Sequence, residues 1–214
     1  MCCFLVNTIQ LYGEKALNKL RGMFGFAVWN EKEQTLMLAR DFFGIKPVYY
    51  AEIDGHFVFA SEIKSILAFP GYERKVNQKA LEQYLSFQYS PLEETFFRGI
   101  YKLMPGHMLL YKNGNYEIKT YFKTKLTPGK WNRKTNMDQL RSQLAEILKD
   151  SVKHHMLSDV EVGAFLSGGV DSGYLASSSG ADQAFTVGFD EGDRYSEVNK
   201  AAKVAEKAGL KHHV

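Results

Sequence analysis

The chain has 214 residues, 45% of them hydrophobic and 24% charged, with a formal net charge of +3. That length holds one large or two modest domains with buried cores, and the near-balanced, scattered charge gives no grounds for nucleic-acid binding. Its two cysteines, Cys2 and Cys3, are neighbours, which excludes a disulfide framework and fits a reducing, cytoplasmic compartment.

No apolar run approaches the roughly 18 residues of a membrane span. The opening MCCFLV also lacks the basic and long apolar regions of a signal peptide.

Residues 1–125 read as a strand-rich α+β half. LYGEKALNKL predicts a short helix over 11–20. FGFAVWN (24–30) and TLMLARD (35–41) are apolar, β-prone runs separated by the polar turn EKEQ. Asp54-Gly55 sits between two runs rich in aromatic and β-branched residues, and Asn113-Gly114 does the same in HMLLYKNGNYEIKTYF. Each predicts a hairpin with a two-residue turn. Between them NQKALEQYLSFQY, from Asn77, predicts a helix with Leu81, Tyr84 and Leu85 on one face. The expected architecture is an antiparallel sheet with attached helices. The 15 Phe and 12 Tyr fall mostly in alternating strand patterns, which makes them sheet core rather than base-stacking platforms. Arg40-Asp41 and Lys46-Pro47 are expected to shape a turn after a strand, with a domain interface as the alternative.

Residues 126–136 are polar, contain Pro128-Gly129 and break both periodicities, so they read as a linker. Beyond them the pattern changes. Asn136 is a helix cap, with Gln139 three residues on. Leu140, Leu144, Ile147, Leu148 and Val152 form a helical stripe. VEVGAFL (160–166) predicts a buried strand leading into SGGVDS, and AFTVGF (184–189) predicts a second. SEVNKAAKVAEKAGL then predicts a helix whose stripe is Val198, Ala201, Ala202, Ala205 and Ala208, ended by Gly209. Alternating strands and helices imply the start of a parallel α/β sheet. A third strand is expected to begin at KHHV. Two parallel strands make no well-buried sheet alone, so sequence is expected to be missing there.

The chemistry lies in Ser167 to Ser172. Gly168 and Gly169 let backbone turn sharply and approach an anionic oxygen. Successive N–H groups at a helix N-terminus offer donors and a positive dipole end to phosphate, and Ser167 and Ser172 add hydroxyls. Asp171 suits such a place only if a cation such as Mg²⁺ bridges it to phosphate. No Gly-Lys-Ser/Thr of the Walker type occurs, so this is not a γ-phosphate-transferring loop. A plain Gly-Ser turn closing a βα unit is the alternative for SGG alone. His154-His155 and His212-His213 have no third ligand at metal-binding spacing and read as structural or solvated.

GAFLSGGVDS followed by FTVGFD resembles the PP-loop of the asparagine synthetases, members of the ATP pyrophosphatase group. LRGMFGFAVW, ARDFFGIKPVYY, FASEIKSIL and LMPGH resemble the later part of the class II glutaminase domain that precedes it there. The resemblance implies a partial N-terminal-nucleophile (Ntn) type sheet over 1–125. A truncated PP-loop domain, of the adenine nucleotide α hydrolase-like fold, would follow over 137–214. It implies a carbon–nitrogen ligase. ATP adenylates the side-chain carboxylate of aspartate and releases pyrophosphate, and ammonia from glutamine displaces AMP from β-aspartyl-AMP. The implied partners are small molecules (ATP with Mg²⁺, aspartate, glutamine or ammonia), with a homodimer left open.

By the same resemblance, Ser167, Gly168, Gly169, Val170, Asp171 and Ser172 match the pyrophosphate loop. Phe165 and Leu166 match the strand end near adenosine, where leucines are usual, and Val187 matches the position whose backbone faces adenine. The family nucleophile is a cysteine at position 2, freed by methionine removal. Cys2 satisfies that position only: the family reads Cys-Gly-Ile, this chain Cys2-Cys3-Phe4. Counting back from Arg21 to Phe24 puts Met1 to Phe4 near a late glutamine-binding segment. The glutamine-gripping arginine and Asn-Gly-Glu segments have no counterpart here. Nor, past Val214, do the further acidic residues, the Ser-Gly-Glu-Gly segment and the catalytic lysine. The expectation is a chain incomplete at both ends with little synthetase turnover of its own. A β-lactam-forming or peptide-cyclising synthetase and a non-catalytic nucleotide-binding remnant are the rival readings.

Overall fold

The computed structural model describes residues 2–125, 136–189 and 196–214, without the side chains of Cys2 and Cys3. The chain divides into two compact units, Met1–Thr127 and Pro128–Val214. All but Asn136 of the expected linker lies outside the described residues. Among the described residues no helix is long and apolar enough to cross a membrane.

The first unit opens with α1 (Cys2–Tyr12) and a 3₁₀ helix (Gly13–Lys19). The expected helix at 11–20 is thus displaced towards the start of the chain. Gly13, at φ 56°, ends the α-helical path, and the tighter helix that follows buries Ala16 and Leu17. Strands β1 (Gly25–Asn30), β2 (Thr35–Arg40), β6 (His107–Lys112) and β7 (Asn115–Thr120) form an antiparallel sheet in the order β1-β2-β6-β7. A second antiparallel sheet has the order β4-β3-β5, from β3 (Tyr49–Ile53), β4 (His56–Ala60) and β5 (Ile100–Lys102). Both expected hairpins form. Asp54 and Gly55 (φ 48° and 77°) and Asn113 and Gly114 (φ 51° and 78°) take the left-handed conformations that match strand twist.

Side-chain alternation then builds layers. Leu36 and Leu38 of β2, Leu109 of β6 and Tyr50 of β3 meet between the two sheets, with Val48 and Leu103. Met37, Ala39 and Met108 face the other way, onto Leu17 of the 3₁₀ helix and Ile9 of α1. Ala51, Ile53 and Ile100 on the outer face of the second sheet pack on Ile66 of α2 (Ile63–Leu67). The unit is therefore helix, sheet, sheet, helix, and β2 is buried on both faces.

Helix α3 (Gln78–Phe87) starts where expected, with the Asn77 side chain accepting the N–H of Ala80. Ala80 is buried, whereas Leu81, Tyr84 and Leu85 are exposed.

Both connections between the two sheets pass one charged corner. Arg40 donates to three carbonyls: Nε to Lys46 at 2.9 Å, Nη1 to Leu103 at 2.7 Å and Nη2 to Gly44 at 2.7 Å. The Asp41 carboxylate accepts the N–H groups of Phe24, Phe43, Ile45 and Lys46 at 2.9–3.3 Å, and its own carbonyl accepts Gly44 and Gly106. Gly44, at φ 67°, leaves room that a Cβ would fill, 2.7 Å from Pro105 Cγ and 3.0 Å from the Arg40 guanidinium. The expected turn at Arg40-Asp41 is thus present.

The second unit contains α4 (Met137–His155), capped by Asn136 through the N–H groups of Asp138 and Gln139. Strands β8 (Ala164–Phe165), β9 (Gln183–Phe185) and β10 (Lys211–His213) form a parallel sheet in the order β10-β9-β8. Helices α5 (Val170–Ser179) and α6 (Val198–Ala208) connect them, and Gly209, at φ 69°, ends α6 as expected. The core is Leu166, Ala176, Ala184, Ala201 and Ala205. The third strand expected at KHHV forms. Both expected strands run short, and β9 ends at Phe185 rather than Phe189. The buried strand foreseen over 160–166 is only two residues long, with Val160 77% exposed. Of the α4 stripe only Val152 is buried, and Leu144 and Ile147 are exposed. Of the α6 stripe, only Ala201 and Ala205 are buried.

Burial pushes the pKa of Asp41 up, but its four backbone donors outweigh burial and hold it below the ordinary carboxylate value. A depressed folded pKa contributes stability above the unfolded value near 4, lost as pH falls through the folded value. Asp41→Asn is expected to cost about 2 kcal/mol in urea denaturation at neutral pH, the scale of hydrogen bonds to a charged group. The gap to the wild type should shrink on acidification. A gap independent of pH would assign the loss to shape rather than charge.

Candidate functional site

Leu166 follows β8, and the chain then turns through Ser167, Gly168 and Gly169 into α5. The turn fits glycine at 168 for two reasons. Its φ is 74°, and a Cβ there would lie 2.7 Å from Lys200 Cβ and 3.0 Å from the Ala201 nitrogen on α6. The loop therefore rests directly on the first turn of α6. Gly169 is different: its φ is −76°, and a Cβ would meet only Ser167 Oγ at 3.5 Å and Ser172 Oγ at 3.9 Å. Gly169 keeps the backbone bare on the side away from the protein.

No side chain caps the N-terminus of α5. Its first-turn N–H groups and positive dipole end therefore lack a side-chain cap, beside exposed Val170 and Asp171. The two serines lie inside the turn. The Ser167 N–H donates to Ser172 Oγ at 3.3 Å, the two hydroxyls are 3.0 Å apart, and Ser172 Oγ donates to the Gly169 carbonyl at 3.3 Å. They hold the turn in shape and remain at its surface.

Beside this turn is a hollow of about 310 Å³. Phe165, Leu166, Ser167, Ser172 and Val187 from the predicted set line it. Gly168, Gly169, Val170 and Asp171 continue the turn and are not among the lining residues. Phe165 and Val187 are 84% and 70% exposed, so two apolar side chains stand unpacked at the mouth. Sequence reasoning missed four further lining residues, Phe185, Thr186, Phe189 and Glu197. Thr186 carried a usable signal, a hydroxyl inside an apolar strand. Glu197, at the N-terminal cap of α6, carried none that separates it from a solvated carboxylate.

In the first unit, a larger hollow of about 1040 Å³ opens over the β1-β2-β6-β7 sheet beside α1. Cys2 opens α1, and its side chain lies outside the described residues. Among the described residues no group of three or more His, Cys, Asp or Glu is placed to hold a metal ion. His154 and His155 turn Nδ1 towards the carbonyls of Asp150 and Ser151, one helical turn back, both at 2.8 Å.

In chain order, an antiparallel two-sheet unit is followed by a parallel-sheet unit with a glycine turn. A family model described as glutamine amidotransferase domain matches residues 2–122, and one described as asparagine synthase matches residues 143–214. The chain is 38% identical over 213 residues to asparagine synthetase [glutamine-hydrolyzing] 1 of Bacillus subtilis, covering 97% of this chain and 33% of that protein. It is 36% identical over 211 residues to a putative asparagine synthetase of Mycobacterium tuberculosis, covering 94% and 32%. Amidase chry2 of Gibberella zeae is 30% identical over 232 residues, covering 100% and 34%. The chain belongs to the glutamine amidotransferase domain family, and its second unit is similar to the asparagine synthases. It spans about a third of the length of these curated relatives.

The two glycines predict opposite outcomes. Gly168→Ala is expected to lower the stability of the second unit by at least about 1–2 kcal/mol, the cost of a side chain in the left-handed region, with the Lys200 contact adding to it. Gly169→Ala should stay within about 0.5 kcal/mol, as for a surface change. Thermal denaturation followed by circular dichroism distinguishes them, and equal losses would refute the packing of the loop on α6.

Proposed function

We propose that the second unit binds ATP through residues 165–172 and Val187, for amide formation on aspartate of the asparagine synthetase type. The observation that carries this reading is the uncapped N-terminus of α5, reached through a bare glycine turn, beside an apolar-walled hollow. The N–H groups after Gly168 and the dipole end of α5 suit phosphate oxygens. Ser167 and Ser172 supply hydroxyl donors at the rim. Phe165 and Val187 offer apolar surface to the flat base. Leu166, 2% exposed, anchors the strand end that presents Phe165.

Asp171 is exposed in the first turn of α5. A lone carboxylate beside phosphate oxygens is the donor set that suits Mg²⁺, which keeps most of its water and takes one or two carboxylates. Bound there, the cation would offset the charge of the leaving pyrophosphate. In the overall reaction ATP activates the aspartate side-chain carboxylate, pyrophosphate leaves, and nitrogen from glutamine displaces AMP. On this reading residues 1–125 are part of the glutamine amidotransferase domain, 126–136 a linker and 137–214 the opening of the nucleotide-binding domain.

Calorimetric titration of the chain with ATP and Mg²⁺ tests the assignment. Ser167→Ala is expected to weaken binding by about threefold to tenfold, the worth of one hydrogen bond. Asp171→Ala should weaken it only while Mg²⁺ is present. Wild-type chain that takes up no ATP, or an Asp171→Ala effect that survives chelation, would overturn the respective part.

A further inference from the structure

Thr186 is 7% exposed, directly follows β9 and lines the hollow, yet its hydroxyl has two close partners. Oγ1 lies 2.6 Å from the Leu166 carbonyl oxygen and 2.7 Å from Nε2 of His212 on β10. A hydroxyl has one proton to give and lone pairs to receive. The carbonyl has no proton, so the threonine proton points to Leu166, and Nε2 of His212 must then donate to Oγ1. The pair of distances thus fixes which ring nitrogen of His212 is protonated.

The Leu166 carbonyl belongs to the peptide that ends in the Ser167 N–H. Because that unit is planar, orienting its oxygen orients its N–H. This N–H meets Ser172 Oγ at 3.3 Å, and the Ser172 hydroxyl lies 3.0 Å from that of Ser167. A line of hydrogen bonds therefore runs from β10, through Thr186 and one peptide plane, into the first turn of α5. The backbone reinforces it, since Leu166 N–H donates to the Phe185 carbonyl and Thr186 N–H to that of His213, both at 2.9 Å.

We propose that Thr186 and His212 are positioning residues, which hold the Leu166–Ser167 peptide so that the glycine turn and its serines are set for phosphate before any ligand arrives. Neither residue needs to touch the nucleotide. The inference rests on the ATP reading for its consequence, but its geometry is independent of it. Neighbouring His213 provides the contrast. It stacks on Phe185 with ring centres 4.9 Å apart and places Nε2 2.9 Å from Gln183 Oε1, outside this line.

The test combines nitrogen-15 NMR of the ligand-free chain with ATP titration in the presence of Mg²⁺. His212 should show the Nε2-protonated ring, and the Ser167 amide signal should move in Thr186→Val and return in Thr186→Ser. Thr186→Val is expected to weaken ATP binding by about threefold to tenfold, with Thr186→Ser and His213→Ala within about twofold of wild type. An Nδ1-protonated neutral His212, or an unmoved Ser167 amide in Thr186→Val, overturns the relay. So does a His213→Ala loss as large as that of Thr186→Val. If Thr186→Val does not fold, the ring state of His212 and the serine variant decide. Wild-type chain that binds no ATP removes the nucleotide reading, while the two NMR signals still judge the relay.

Discussion

The Asp41 carboxylate is the point on which the first unit turns. A sandwich of two sheets needs chain to cross from one sheet to the other, and crossings expose backbone groups that neither sheet pairs. Here the segment leaving β2 and the segment entering β6 pass the same corner. Asp41 takes four N–H groups there, and Arg40 supplies donors to three carbonyls. A buried charge is costly unless its hydrogen-bonding capacity is filled. Both neighbours meet that condition with backbone, so the crossings are held without a second charged side chain for each. The layers on either side, Leu36 and Leu109 between the sheets and Ile66 on the outer face, can then pack against sheets whose spacing is already set.

The second unit solves a related problem with neutral groups. Its sheet is parallel, and its three strands cover only two or three residues each. Sheet pairing alone holds little of the loop that leaves β8. Thr186, a single buried hydroxyl, extends the order of the sheet past the last paired residues into the glycine turn. Helix α6 supports the same turn from the other side, through Gly168. The hydroxyl and the small residue therefore act together: one directs a peptide plane, the other permits close approach of two backbones. The result is a turn held from two sides, next to a hollow that Ser167 and Ser172 line.

Much of this was legible in the chain because the signals were local. Asp54-Gly55 and Asn113-Gly114 named their turns, Asn77 and Asn136 named helix starts, and Gly209 named a helix end, since each depends on φ or on one nearby donor. The glycine turn between β8 and α5 was legible for the same reason, together with its flanking serines. What was not legible depended on partners far along the chain. Which residues of α3 are covered depends on what lies beneath Ala80, so periodicity could group Leu81, Tyr84 and Leu85 on one face without showing that the face is exposed. The apolar run at 160–166 looked like a full strand, but its partner β9 offers only two paired residues there. The stripe of α4 was correctly spaced, yet spacing cannot say whether a surface is present to receive it. Thr186 stood out as one hydroxyl among apolar neighbours, but what it holds is seen only with Leu166 and His212 beside it.

The double burial of β2 has a consequence for how its pairing is specified. In a strand with one wet face, sliding by a single position would drive polar side chains into the core, so alternation itself forbids the slip. In β2 that safeguard is weak, because Leu36 and Leu38 on one side and Met37 and Ala39 on the other are all apolar. A shifted alignment would still bury grease against grease. What it would misplace is the charged pair at the strand's end, carrying a carboxylate away from four amides and a guanidinium away from three carbonyls. The alignment of the most buried strand is thus dictated by its least apolar residues.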